Sequence, residues 1–144
     1  MLYFDTSFLA PLILEEATSE AIEAFLATQP AGQFYLSHWT RVEFASLIAR
    51  EVRMGGLAAG DALLAIAQFD ELVADSFQVL MPSSADYERA KQYIQNFDSK
   101  LRAGDALHLA IASNNGAKTL FTLDVGLLNA ANLLTVPASR GIDC

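Results

Sequence analysis

Short strand-like runs alternate with helical stretches along the whole chain, and that alternation leaves few folds open. Met1-Leu2-Tyr3-Phe4-Asp5 reads as a strand running into a polar turn. Gln33-Phe34-Tyr35-Leu36-Ser37 is aromatic and bounded by turn formers, and Phe77-Gln78-Val79-Leu80-Met81 is closed by Pro82. Residues 119–122 and 134–136 read as a fourth and a fifth strand. Between these runs the spacing changes to that of helices. The Asp5-Thr6-Ser7 cap opens a short helix reaching about Leu14. Residues 19–29 form another, with Ile22, Phe25 and Leu26 on one face and Pro30-Ala31-Gly32 as its stop. A helix over 39–53 ends at Gly55-Gly56. Residues 62–73 carry Leu63, Ile66, Phe69 and Val73 inward. Ser83 and Asp86 make an acidic capping box for a helix bearing Tyr87, Ala90, Ile94 and Phe97. Residues 102–114 are apolar on nearly every side, which places that helix centrally, and a last helix covers 124–132.

Parallel neighbours need crossover connections, so the expected class is α/β: a five-stranded parallel sheet flanked by helices, in one domain over 1–144. No repeat, low-complexity tract or linker divides it. Hydrophobic residues make up 53% and charged ones 18%, the balance of a packed domain rather than a disordered chain. The apolar stretches, such as 106–112, stop well short of a bilayer span. The N-terminus meets Asp5 without a basic segment, so it is not read as a signal peptide. Cys144 is the one cysteine, expected to be inert and unable to form an internal disulfide. A cytoplasmic protein is the expectation. The helices carrying Phe8, Leu12, Trp39, Phe44, Leu63 and Phe69 offer more apolar side chains than a small interior needs, which points to partner surfaces.

Four acids gain meaning from this topology. Asp5 closes the first strand, and Asp124 stands just past the fourth. Glu43 lies in the first or second turn of the helix after the second strand, and Asp105 in the first turn of the central helix. Helices that run back along a parallel sheet begin at its carboxyl edge, so all four fall at that edge, where such sheets bind ligands. Clustered carboxylates raise one another's pKa unless a cation compensates. All-oxygen ligation suits Mg2+ or Mn2+, and no Cys/His spacing suggests zinc. Metal ions so held can polarise a phosphate and activate water. The net charge of −8 adds a constraint: a chain this acidic needs bound cations or a localised basic rim to approach a polyanion.

Each acid also has a purely structural reading. Asp5 and Asp124 could be N-caps, Asp105 could complement a helix dipole, and Glu43 could be an exposed helix residue. Their shared placement is what favours a site.

The segments Tyr3-Phe4-Asp5-Thr6-Ser7-Phe8-Leu9, Thr40-Arg41-Val42-Glu43, Asp105-Ala106-Leu107-His108-Leu109-Ala110 and Thr122-Leu123-Asp124 resemble, in order, the signature segments of PIN-domain nucleases, and most of all the VapC-type toxins of toxin–antitoxin pairs. The resemblance runs from the first strand to the last helix. It implies a five-stranded parallel sheet, Mg2+- or Mn2+-dependent endoribonuclease activity on RNA, homodimerisation, and inhibition by an antitoxin protein. It carries the four acidic positions of the family onto Asp5, Glu43, Asp105 and Asp124, and a small polar supporting position onto Ser7. Many relatives have a polar or basic residue soon after the last acid, where this chain has Val125-Gly126-Leu127.

Arg102, three residues before Asp105 and near Lys100, is a candidate phosphate contact. His108 reads first as a hydrogen-bonded core histidine, and His38 and Trp39 as packing or partner-binding residues. A haloacid-dehalogenase-like phosphatase would need a second aspartate where Ser7 stands. A dinucleotide-binding domain would need a glycine-rich turn after the first strand. A non-catalytic interaction module, or an RNA-processing nuclease of the same fold, remains open to a chain of this pattern.

Overall fold

Leu2 and Phe4 face one side of the first strand and Tyr3 the other, and the two helical layers grow from that alternation. The computed structural model describes residues 1–143; the expectation for Cys144 lies outside them. The chain runs β1 (Leu2–Phe4), α1 (Thr6–Leu9), a 3-10 turn (Ala10–Leu12), α2 (Ser19–Ala27), β2 (Phe34–Ser37), α3 (His38–Arg53), α4 (Ala59–Ser76), β3 (Gln78–Leu80), α5 (Ser84–Gln95), a second 3-10 turn (Phe97–Ser99), α6 (Ala103–Asn114), β4 (Thr119–Phe121), α7 (Val125–Leu133) and β5 (Ala138–Ser139). The five strands form one parallel sheet in the order β3-β2-β1-β4-β5. The expected class and strand number are therefore both found.

The strand order turns back at β1. From there the chain moves outward through β2 and β3, then returns to β4 on the other side, in register with Phe4 opposite Phe121. A crevice opens beyond the carboxyl ends of two strands whose connections leave in opposite directions. Asp5 and Asp124 follow those two strands.

One layer packs Phe4, Phe8, Ile22, Leu36, Phe44, Ile48 and Phe69 beneath α1 to α4. Phe4 stacks on Phe121 with ring centroids 5.2 Å apart, and Phe44 stacks on Phe69 at 4.1 Å, locking α3 to α4. The opposite layer packs Tyr3, Leu120, Leu127 and the continuous run Ala106–Ala112 of α6, which is buried all round as its composition demands. No helix among the described residues is long and apolar enough to cross a membrane.

Several expectations are corrected. The fifth strand is Ala138–Ser139, not 134–136. Thr135 takes a left-handed φ of 58°, and Val136 N–H bonds Ala131 O at 2.9 Å while Thr135 N–H bonds Asn132 O. Those bonds are the Schellman closure of α7, so residues 134–136 belong to a helix terminus. Leu63 points outward: the inward stripe of α4 is Ala62, Ala65, Phe69 and Val73, and Leu63 lies a step of about 100° from it. Phe97 is exposed because α5 ends at Gln95 before it can complete the stripe, and Tyr87, in the first turn of α5, is exposed as well. Phe8, Phe44 and Phe69 are core residues, which removes them from any partner surface.

Candidate active site

Asp5, Glu43, Asp105 and Asp124 all line one cleft of ≈ 680 Å³ at the carboxyl edge of the sheet, together with Thr6, Ser7, Trp39, Gly104 and Arg102. The four acids arrive from four elements. Asp5 is the N-cap of α1 and Asp124 the N-cap of α7; each carboxylate accepts from a backbone N–H three residues on, Phe8 and Leu127, at 3.1 Å. Asp105 sits in the first turn of α6. Glu43 projects from the second turn of α3, a helix fixed by a capping box between Ser37 and Thr40. The structural readings of Asp5 and Asp124 thus hold, and the same caps aim both carboxylates into the cleft.

Hydroxyls brace the first acid. Ser7 Oγ donates to Asp5 Oδ1 at 2.8 Å and accepts from Leu123 N at 3.0 Å. Thr122 Oγ1 donates to Asp5 Oδ2 at 2.7 Å and accepts from Asp124 N at 3.0 Å. Through these two side chains, Ser7 and Thr122, the ends of β1 and β4 become one unit.

Glu43 Oε1 accepts from Thr6 Oγ1 at 2.6 Å and from Nε2 of His108. His108 is fully buried on α6, and its Nδ1 lies 2.8 Å from Tyr3 Oη. The Tyr3 hydroxyl donates to Ser37 Oγ at 3.0 Å, so the hydroxyl receives rather than gives at Nδ1. Both ring nitrogens are then donors, which makes the ring an imidazolium. Burial disfavours that charge. The Tyr3 oxygen, the Glu43 hydrogen bond and charge, and Asp5 outweigh burial and push His108 up to about 10.

The carboxylates respond in different directions. Burial pushes Asp5 up, against the pull of His108 and the hydrogen bonds from Thr122, Ser7 and Phe8. Burial acts on Glu43 too, but His108, Thr6 and the nearby Trp39 overcome it and hold Glu43 below its usual value. Asp105 is raised to about 6, first by burial and then by the negative charge of Asp124, with Glu43 and Asp5 adding to it. A carboxylate raised by like charges marks a place where positive charge is wanted.

Four oxygen-donor acids and an unrelieved repulsion fit a hard dication such as Mg2+ or Mn2+ in donor chemistry and charge. Side-chain placement is less ready: among the described residues, no three acidic, histidine or cysteine side chains are grouped closely enough to hold one ion as they stand. Glu43 is turned onto Thr6 and His108, and Asp5 is taken up by three donors. Binding would have to draw these carboxylates from protein donors to the ion.

Gly104 is what lets α6 approach so closely. A Cβ there would lie 2.9 Å from Glu43 Oε2 and 3.2 Å from Trp39 Cζ2. Arg102, the candidate phosphate contact, lines the cleft; Lys100 does not. His38 sits at the start of α3 beside Arg41 Nη1, 3.3 Å away, outside the cleft lining. Sequence reasoning passed over Arg50 and Arg53, which also line the cleft. Their signal was the spacing 43, 46, 50, 53, a single face of one helix.

The sequence matches the PIN domain family over residues 2–133. No curated protein matches it. Among solved structures, VapC20 of Mycobacterium tuberculosis, described as a sarcin-ricin loop cleaving toxin, superposes with a TM-score of 0.72 at 20% identity, over 90% of this chain and 95% of that one. FitAcB of Neisseria gonorrhoeae gives 0.70 at 21% identity, covering 98% of each chain. VapBC-1 of nontypeable Haemophilus influenzae gives 0.68 at 16% identity, over 96% of this chain and 97% of that one.

Proposed function

This chain belongs to the PIN-domain family, and on that footing we propose that it is a divalent-metal-dependent endoribonuclease whose site is formed by Asp5, Glu43, Asp105 and Asp124. The observation that carries the reading is the convergence of these four acids, from four separate elements, on one cleft where Asp105 is raised to about 6 by burial and its acidic neighbours.

Asp5, Glu43, Asp105 and Asp124 are the residues that would hold Mg2+ or Mn2+. When bound, such an ion neutralises the cluster, polarises a phosphodiester and makes water a better nucleophile. The chain's own groups prepare the place. Ser7 and Thr122 hold Asp5, and the α7 cap holds Asp124. Thr6 and His108 keep Glu43 ionised. Asp105, raised to about 6, still holds a proton in mildly acidic solution without metal, and compensation of the neighbouring charge lets it ionise more readily. Arg102 stands at the cleft where it can meet a phosphate of the RNA.

The biological setting we propose is that of a toxin held by an antitoxin protein, acting as a homodimer. It is supported by the VapC20, FitAcB and VapBC-1 likenesses and by FitAB, described as bound to a DNA fragment, at 22% identity and a TM-score of 0.70. Exposed Leu63 and Leu64 on α4 offer apolar area for a partner.

The test is cleavage of single-stranded RNA by the purified chain with Mg2+ or Mn2+. Chelator should stop it, and Asp105→Asn should reduce it on the order of 10²-fold or more while leaving the fold intact. Cleavage by Asp105→Asn at the wild-type rate would remove the assignment.

A further inference from the structure

Resting on the nuclease reading, we infer that Arg50 and Arg53 form a phosphate rail that carries the RNA strand away from the acid cluster along α3. Nine cationic side chains face seventeen acidic ones in this chain, so a cation has no shortage of partners. Arg41 pairs with Asp70 at 3.4 Å, and Lys91 with Glu88 at 3.8 Å. Arg50, Arg53 and Arg102 enter no ion pair among the described residues, and all three line the cleft. What sets Arg50 and Arg53 apart is their place: unpaired guanidiniums at the rim of the cleft that holds Asp5, Glu43, Asp105 and Asp124 are placed for an anion from outside.

The helix sets the geometry of that rim. Phe44 and Ile48 bury the inner face of α3. Glu43, Ser46, Arg50 and Arg53 share the cleft-facing side. From Glu43 the two arginines lie about 10 Å and about 15 Å along the helix axis. They therefore sit beyond the reacting phosphate, on consecutive turns, where they can meet phosphates further along the same strand. Guanidinium forks suit that contact because each can take two phosphate oxygens. The rail also answers the charge problem: metal ions compensate the centre of the cleft, and the arginines supply attraction beside it.

The experiment is binding of a short fluorescein-labelled single-stranded RNA of mixed sequence, followed by anisotropy across a salt series. Asp105→Asn serves as the non-cleaving background. Adding Arg50→Gln and Arg53→Gln should weaken binding roughly tenfold and reduce the slope of log K against log salt by about 1.4, the share of two single-strand phosphate contacts. Arg50→Lys with Arg53→Lys should restore most of that slope. Arg41→Gln, which removes a cation paired outside the cleft, should leave the slope as it was. In the cleaving protein, the glutamine pair should raise KM and spare kcat, with an unchanged melting temperature. Wild-type affinity and slope in the glutamine pair, with RNA still bound and cut, would overturn the rail and leave the nuclease reading standing. Failure of the unmodified chain to bind or cut RNA would overturn both.

Discussion

His108 and Glu43 are joined by a hydrogen bond from the imidazole Nε2 to Glu43 Oε1, which ties the central helix α6 to α3 across the floor of the cleft. The ring's other nitrogen faces Tyr3 Oη at 2.8 Å, so one buried side chain links β1, α3 and α6. Its charge also stands among carboxylates. His108 is thus both a satisfied core histidine and the nearest protein cation to Glu43.

Replacing His108 with Gln should therefore cost stability in a pH-dependent way. The folded value is raised from 6.5 to about 10, so the protonated ring's contribution is fully present below about 6.5 and fades as pH rises toward 10. His108→Gln is expected to lose about 2–3 kcal/mol near pH 6, where a charged hydrogen bond is removed. The gap to wild type should narrow steadily between pH 7 and 10. Thermal melts at several pH values, in chelator, would show it; a gap independent of pH would mean that the ring is neutral.

Asp105→Asn should behave in the opposite sense. Asp105 is raised from 3.8 to about 6, so the folded protein holds a proton that the unfolded chain has lost between those values. Stability from this group falls as pH rises through that window, and above it the ionised carboxylate is a net liability. In chelator the asparagine variant should melt higher than wild type above pH 6 and no higher below about pH 4. Adding Mg2+ or Mn2+ should raise the wild-type melting temperature much more than that of the variant. Equal gains would locate the ions elsewhere.

How much of this was readable beforehand follows from what each feature depends on. The sheet and the four acids depend on local periodicity and on the rule that places helix starts and strand ends at one edge, and both survive in single segments of sequence. The error at 134–136 arose because Leu134 and Val136 look like a strand, while Thr135 in a left-handed conformation closes α7. Leu63 was misplaced because adjacent apolar residues at 62–66 allow more than one stripe, and packing against Phe44 selects the one through Phe69. The His108–Glu43 and Ser7–Thr122 links join residues far apart in sequence, and no local pattern announces them.

Gly104→Ala tests how closely α6 must approach. Alanine is the better helix former by about 1 kcal/mol, which would favour the variant if space were free. It is not free: the added Cβ would meet Glu43 Oε2 at 2.9 Å and the Trp39 ring at 3.2 Å. The carboxylate is not free to swing, because its other oxygen is held by Thr6 and His108, and the indole is stiff as well. The expected result is a net loss of stability of about 1–2 kcal/mol, the crowding outweighing the helix gain, with a clear loss of metal-induced stabilisation as Glu43 is displaced. Undiminished metal response would show that Glu43 is not required where it now sits.

Thr122→Val asks whether Asp5 needs its brace. Valine keeps the shape of a fully buried side chain and removes only the hydroxyl. Three contacts go with it: the 2.7 Å donation to Asp5 Oδ2, the 3.0 Å acceptance from Asp124 N and the 3.2 Å contact with Ser7 Oγ. A buried carboxylate oxygen and a backbone N–H are then left without these partners, which should cost about 1–3 kcal/mol. Thr122→Ser keeps the hydroxyl and loses one methyl, so its cost should be smaller, about 1 kcal/mol. The two variants should separate further in RNA cleavage, because only valine frees Asp5 and the Asp124 backbone together. Denaturant melts and cleavage rates on the same preparations decide the matter. Equal loss in serine and valine would assign the effect to packing and deny the hydroxyl its part in holding Asp5.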